Sequence, residues 1–262
     1  QAEVKRLYEL GSTTHINKTL KTNPDLENGL VGHWTFDGPD TITNIADKSG
    51  QGNDGSLILG ASGNTATTTA PGTIGQALDF DGTDDYVEIG SNASLDLTSN
   101  SIFTHSVWLN TNIDPPNDWE ARLIFIDDGT ECFGTALDDD AKPFIYTCGG
   151  NTLTEAGTSG TVTDDGIWHH VVTIFDQASN QIDVYTDGNL DYQVSSYTDN
   201  SVTTNATVRI GSGRDVDVDY FNNLIDDVRI YNRALSPQEV RRLYNIGSTF
   251  KINKPAYTGS LR

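Results

Sequence analysis

Short runs in which apolar and polar residues alternate, separated by Gly, Asp and Asn, recur along the chain from Gly29 to Tyr231. The clearest are Gln76–Phe80, Asp85–Ile89, Ile102–Leu109, Leu123–Ile126, Trp168–Phe175, Gln181–Thr186, Thr207–Ile210 and Leu224–Tyr231. Successive side chains of a strand point to opposite faces, so a period of two over so few residues predicts half-buried strands. Asp187-Gly188 is a tight-turn signal between two of them. Many short strands with frequent turns predict an all-β fold, two antiparallel sheets packed as a jelly-roll sandwich. A chain of 262 residues accommodates one such domain plus a connector. Residues 61–73, low in complexity, are expected to form a surface loop.

A helix follows the last strand. Ser236-Pro237-Gln238-Glu239 supplies an N-cap Ser, a Pro at the first helical position and a Glu three residues after the cap, and Gly247 is placed to end the helix. This segment occurs twice. Glu239-Val240-Arg241-Arg242-Leu243-Tyr244-Asn245-Ile246-Gly247-Ser248 repeats Glu3-Val4-Lys5-Arg6-Leu7-Tyr8-Glu9-Leu10-Gly11-Ser12, and Ile252-Asn253-Lys254 repeats Ile16-Asn17-Lys18. An offset held over this length marks a tandem repeat. Val4, Leu7, Tyr8 and Leu10 share one helical face, so residues 1–28 are expected to be a connector: the terminal helix of a preceding repeat, ended by Gly11, and a polar linker over 13–28. Residues 29–247 would be the sandwich and 248–262 the start of the next linker. The start at Gln1 and the lack of Met fit a piece of a longer protein.

The net charge is −21. Such a surface repels phosphate backbones, which excludes nucleic acid as a partner, and no apolar run is long enough to insert in a membrane. The acids are mostly Asp beside Gly or Asn in turn-like stretches, an oxygen-rich pattern that suits Ca2+. Cys132 and Cys148 lie in strand-like stretches flanking a turn-like Asp-rich segment, which predicts a disulfide and an extracellular or cell-surface location.

Several segments then become recognisable together. Leu30-Val31-Gly32-His33-Trp34-Thr35-Phe36-Asp37 precedes Asp47-Lys48-Ser49-Gly50-Gln51-Gly52-Asn53-Asp54-Gly55. Gly75-Gln76-Ala77-Leu78-Asp79-Phe80-Asp81-Gly82 precedes Asp84-Asp85-Tyr86-Val87. Phe103-Thr104-His105-Ser106-Val107-Trp108, Trp168-His169-His170-Val171-Val172 and Val184-Tyr185-Thr186-Asp187-Gly188 follow, and Ile225-Asp226-Asp227-Val228-Arg229-Ile230-Tyr231-Asn232-Arg233-Ala234-Leu235-Ser236 closes the series. In this order they resemble the laminin-G-like domains of bacterial surface proteins, in the concanavalin A-like lectin and glucanase superfamily, over nearly all of residues 29–247. The resemblance implies a jelly roll, adhesion or glycan binding, and often a structural calcium, without fixing a ligand. It departs at His105, where the family usually has an apolar residue and a hydrogen-bonded core histidine is expected. It departs again at Asn53-Asp54-Gly55, where the family has Asn-His-Gly.

Asp226 carries the most chemical information. Leu224, Val228 and Ile230 share its expected face, toward the core. An unpaired carboxylate there costs several kcal/mol, so it requires a cation or strong donors. The glucanase relatives carry a calcium-binding Asp at the matching place. Asp37, Asp47 and Asn53 are expected to join Asp226 around one Ca2+ that ties the first turn to the last strand. The alternatives are capping of Asp226 by backbone N–H groups and an outward register. A second cation site at Asp138–Asp140 with Asp215, Asp217 and Asp219 competes with a solvated edge. Trp34, Trp108 and Trp168 are expected to pack. Trp119, in a loop, and Tyr146 and Tyr220 are the candidate stacking residues for a sugar. The Glu-x-Asp-x-Glu of the glucanases is missing, as is Gly-x-Ser-x-Gly. The expected function is therefore a non-catalytic adhesion or recognition module of a tandem-repeat extracellular protein, with glycans, cell-surface proteins and neighbouring repeats as partners. The rivals are a dedicated carbohydrate-binding module and a polysaccharide hydrolase or lyase using an Asp pair that the sequence does not single out.

Overall fold

The alternating runs pair into two antiparallel sheets. The computed structural model describes residues 24–38, 44–59, 69–95, 102–112, 121–129, 132–149, 152–156, 160–161, 163–195, 206–213 and 220–251. In chain order the elements are α1 (Pro24–Glu27), β1 (Leu30–Trp34), β2 (Gly55–Ile58), β3 (Thr69–Pro71), β4 (Gln76–Asp81), β5 (Tyr86–Ile89) and β6 (Ile102–Asn110). Then come β7 (Ala121–Asp127), β8 (Cys132–Leu137), β9 (Pro143–Gly149), β10 (Thr152–Ala156), β11 (Trp168–Asp176) and β12 (Gln181–Thr186). The last are β13 (Asn189–Ser195), β14 (Thr207–Ile210), β15 (Asn222–Tyr231) and α2 (Pro237–Lys251). The first sheet runs β13-β12-β11-β6-β15-β4-β3, with β1 also on β15; the second runs β10-β9-β8-β7-β14-β5-β2. None of the helices described is long and apolar enough to cross a membrane.

The core lies between the sheets. Phe103, Val107 and Leu109 of β6 and Val171 and Phe175 of β11 belong to one cluster with Leu123, Ile126, Phe133 and Val208 of the other sheet. His105 sits among them, with ring centroids 5.2–5.8 Å from Phe103, Phe133 and Phe175. Its Nδ1 has one long contact, 3.4 Å to Thr135 Oγ1. Burial pushes its pKa down to about 3, so the ring is neutral and packs much as an apolar residue does.

The outer face of the first sheet is covered by α2. Val240 and Leu243 pack with Val172, Ile174, Tyr185 and Tyr231. The start of the helix has the expected box: Glu239 N–H donates to Ser236 Oγ (3.3 Å) and Ser236 N–H to Glu239 Oε2 (2.8 Å). Arg233 donates to Glu239 Oε1 at 2.6 Å and to Asn28 O at 2.7 Å, joining both ends of the domain.

Three local expectations are corrected. Gly247 does not end α2, which continues to Lys251. It is retained in mid-helix because a Cβ there would overlap the Trp108 ring, a tertiary demand that outweighs the roughly 1 kcal/mol that glycine costs a helix. The polar linker contains α1, whose Leu26 is buried beside α2. The loop expected over 61–73 ends in a strand, since Thr69–Pro71 pairs with β4. The connector helix expected near residues 1–10 lies outside the described residues.

β8 and β9 place Cys132 opposite Cys148. Cys132 is disulfide-bonded, and Cys148 is the only other cysteine in the sequence. Closing a loop of this size stabilises by about 3 kcal/mol. Reduction, or Cys132→Ser with Cys148→Ser, should lower the melting temperature by about 6–12 °C in calorimetry.

Candidate functional site

A bulge in β15 creates the site. Asp227 adopts a left-handed φ of 46°, and the pairing with β6 shifts register between Asp226 and Arg229. Ile225, Val228 and Ile230 face the core. Asp226, paired with Trp108, therefore falls on the outer face of the sheet, where Trp108 stacks on Tyr244 of α2. This corrects the expected core face: Asp226 is fully buried, but by the β3–β4 turn rather than by the opposing sheet. Its Oδ2 accepts from Thr73 N (2.7 Å), Thr73 Oγ1 (3.0 Å) and Ile74 N (3.1 Å). A side chain at Gly72 would overlap that oxygen. Oδ1 is buried and has no hydrogen-bond partner among the described residues. Burial first, with the nearby Asp227 charge adding and the turn N–H groups opposing, raises the pKa to about 7.

Asp37 reaches the same turn from the end of β1. The buried Phe36 has φ 55°, a left-handed conformation rare for an aromatic residue. Asp37 Oδ1 accepts from Gln76 N (2.9 Å), and Gln76 Oε1 accepts from Gly38 N (2.6 Å). Gly75, at φ 74°, leaves room that a Cβ would take from Asp37 Oδ1. One turn, residues 72–76, thus holds two carboxylates, one with a bare buried oxygen. A carboxylate oxygen is a hard donor of the kind Ca2+ takes, and the unpartnered Oδ1 of Asp226 is the observation here that fits such an ion.

Asp47 and Asn53 meet each other instead, on the loop against β1. Asp47 Oδ1 accepts from His33 N (3.0 Å) and Ser49 N (2.8 Å), and Oδ2 from Ser49 Oγ (2.7 Å) and Asn53 N (2.9 Å). Burial raises its pKa, but these donors overcome it and hold it below the ordinary carboxylate value. Asn53 Nδ2 donates to Val31 O (2.6 Å) and Ser94 Oγ (2.7 Å), and the Asn53 backbone carbonyl accepts from Trp34 Nε1 (2.9 Å). Among the described residues no hydrogen bond joins this pair to Asp37 or Asp226.

Two charged clusters were not singled out in the sequence. Asp227 accepts from Arg229 (3.0 and 3.1 Å), and its Oδ1 lies 2.7 Å from His33 Nε2. Burial alone would raise the Asp227 pKa, but the Arg229 guanidinium and His33 keep it far below the usual range. His169 is clamped between Asp187 (Nδ1 to Oδ2, 2.9 Å) and Asp165 (Nε2 to Oδ1, 3.2 Å). Burial would lower its pKa, but the two carboxylates hold it above the ordinary histidine value. The i, i+2 spacing of Asp227 and Arg229 was a readable signal; the His169 clamp uses Asp165 four residues before it and Asp187 eighteen after it, positions that no strand periodicity pairs with a histidine.

Tyr146 and Tyr220 lie toward the outer side of the second sheet. Register aligns Glu88, Arg209, Phe125, Gly134 and Tyr146 in one row across five strands. The Arg122 guanidinium lies 3.4 Å from the Tyr146 ring centroid. At the other end Arg209 contacts Glu88 (3.2 Å) and covers Tyr86 (5.7 Å), which is 6.3 Å from Tyr220. Trp119, Asp215, Asp217 and Asp219 lie outside the described residues. Asp138 Oδ1 accepts from Asp140 N (3.0 Å) and Lys142 N (2.8 Å), and so shapes the β8–β9 turn. Asp81, Asp84 and Asp85 also converge, at the β4–β5 turn, where Asp81 accepts from Thr83 N (2.8 Å).

A laminin-G family model of the concanavalin A-like lectin/glucanases superfamily matches residues 81–241, more than half of the chain. The chain belongs to this superfamily. Its matched stretch includes Asp226 but begins after Asp37 and the 72–76 turn. The laminin-G-like domain is similar to domain 4 of AbnA, an extracellular GH43 arabinanase of Geobacillus stearothermophilus solved with arabinotriose. The two are 22% identical with a TM-score of 0.65, over 82% of this chain and 98% of that one. It is also similar to the binding domain of Paraclostridial Mosquitocidal Protein 1 (18% identity, TM-score 0.65, 84% and 53%). The binding domain of botulinum neurotoxin DC, solved with rat synaptotagmin II, matches at 13% identity and TM-score 0.64 (84% and 52%). The chain spans about half the length of these toxin domains. At such identities the likeness is one of fold. No curated protein matches the sequence.

The clamp on His169 predicts a pH dependence for this laminin-G-like domain. A raised histidine pKa contributes stability that is complete below about 6.5 and is lost as pH rises through the folded value. His169→Gln should lower the melting temperature by about 2–4 °C at pH 6 and have no effect at pH 9.

Proposed function

We propose that this domain is a non-catalytic recognition module of an extracellular tandem-repeat protein, binding glycans or cell-surface proteins and stabilised by one structural Ca2+ at Asp226 and Asp37. The observation that carries the cation is the bare Oδ1 of Asp226, buried beside a turn that already holds a second carboxylate. A bound cation would supply the positive charge that neutralises that oxygen. Asp226 would then hold β15, Asp37 the end of β1 and Thr73 the β3–β4 turn. Asp47 and Asn53, whose hydrogen bonds tie their loop to β1 and to Ser94, are assigned to positioning β1.

The recognition reading is supported by the superfamily and by what its structural neighbours bind: arabinotriose for the arabinanase domain, gangliosides and synaptotagmin II for the toxin domains. Glycoside hydrolysis needs an acid and a base facing each other across the substrate. Here Asp227 is engaged by Arg229, Asp187 by His169 and Asp47 by its loop, so these buried or half-buried acids hold structure. The arabinanase domain favours a carbohydrate-binding module as the more specific form.

A glycan array that includes arabino-oligosaccharides and gangliosides tests the function. Binding in Ca2+ that weakens under chelator, with no reducing ends released from polysaccharides, is expected. Release of reducing ends, or binding to neither glycans nor cell-surface proteins, would contradict the proposal. Chelation should lower the melting temperature by about 5–10 °C, the effect of removing a ligand held at roughly a hundred times its Kd. Asp226→Ala should abolish the difference between Ca2+ and chelator.

A further inference from the structure

The helix that closes the fold has a copy in the same chain, and the structure shows which of its residues the copy keeps. In α2, Val240 and Leu243 are buried. Tyr244 stacks on Trp108 at 5.7 Å and 16°. Gly247 passes so close to the Trp108 ring that any side chain there would overlap it. Beneath the helix Gly188, at φ 77°, leaves room for the Arg241 backbone and the Tyr244 Cβ. Residues 3–12 carry Val4, Leu7, Tyr8 and Gly11 at these four positions. The two copies differ where Arg241, Asn245 and Ile246 stand, which become Lys5, Glu9 and Leu10. Arg241 and Asn245 are exposed, and Ile246 is half-buried and exchanged for an isomer.

The glycine is the informative residue. In mid-helix it is unfavourable by roughly 1 kcal/mol relative to alanine, and in α2 it is required by Trp108 alone among the contacts described. A second segment with the same glycine, one turn after the same tyrosine, is shaped for a groove with the same indole in its floor.

We infer that residues 3–12 are a docking segment shaped for the α2 groove of a second laminin-G-like domain: that of the preceding repeat or, where its own groove is not available, that of another copy of this chain. This rests on the tandem-repeat part of the proposed function but not on its ligand or its cation. The occupant is fixed by the matched contacts: Val4 and Leu7 beside Val172 and Tyr185, Tyr8 on Trp108, and Gly11 across the indole. In another copy of this chain the groove is covered by α2, so docking there requires α2 to be released.

The test is a cycle of glycine substitutions in the full chain, followed by sedimentation and melting in Ca2+. Gly247→Val expels α2 and should produce concentration-dependent association, as residues 3–12 of one copy occupy the groove of the next. Adding Gly11→Val should abolish that association and lower the melting temperature further, while Gly11→Val alone leaves the monomer unchanged. A Gly247→Val protein that stays monomeric, or association that survives Gly11→Val, would overturn the inference. Should Gly247→Val not fold, Tyr244→Ala loosens α2 without overlap. A labelled peptide of residues 1–14 should bind this variant with at least tenfold higher affinity than the same peptide carrying Gly11→Val. Equal binding of the two peptides, or none, would refute the docking. Loss of glycan or Ca2+ binding leaves these readouts unaffected, so the two proposals fail separately.

Discussion

The fold is closed around one buried carboxylate. Asp226 stands where the last strand, its neighbour β6 and the β3–β4 turn converge, and only one of its oxygens is satisfied by the turn. A bare ionised oxygen in a protein interior costs several kcal/mol, so it is either protonated or neutralised by a cation. The same turn is gripped by Asp37 from the end of β1. The first strand, the last strand and the β3–β4 hairpin are thereby held at one point, and the charge state of that point governs how firmly they hold together.

The charged groups nearby behave differently because each has its partner. Asp227, next in sequence, is fixed by Arg229 and His33. Asp47 satisfies four donors, three in its own loop and one on β1, and His169 is clamped by two acids. These groups are structural anchors whose bonds are complete within the protein. Asp226 differs from these three in having a buried oxygen without a donor, the feature on which the proposed cation site rests. On the other sheet, Tyr146 and the Tyr86–Tyr220 pair end a row crossed by Arg209 and Glu88. A stiff junction on one sheet and an aromatic, charged face on the other suit a recognition module.

Much of this was legible in the sequence. Period-two alternation located most of the strands, and Ser236, Pro237 and Glu239 located the helix start; Asp226 is buried as expected, but by the β3–β4 turn and not by the apolar neighbours the expectation rested on. The face it occupies was not legible. The left-handed Asp227 resets the alternation midway along β15, and no local signal distinguishes that from a regular strand. β3 was hidden because its Thr-Ala-Pro sequence has no apolar alternation and pairs only through β4. Gly247 was taken for a helix stop because the local rule is sound; the Trp108 ring that overrides it lies well over a hundred residues away. The expected grouping of four cation ligands followed their order along the chain; the structure shows Asp37 and Asp226 accepting from the β3–β4 turn, and Asp47 and Asn53 bonded to each other beside β1.

Calorimetric titration of Ca2+ into metal-stripped protein tests the central claim most directly. One ion bound per chain by the wild type, with binding lost in Asp226→Asn and retained in Asp47→Asn, is the predicted result. No heat of binding to the wild type, or equal binding by wild type and Asp226→Asn, would contradict it.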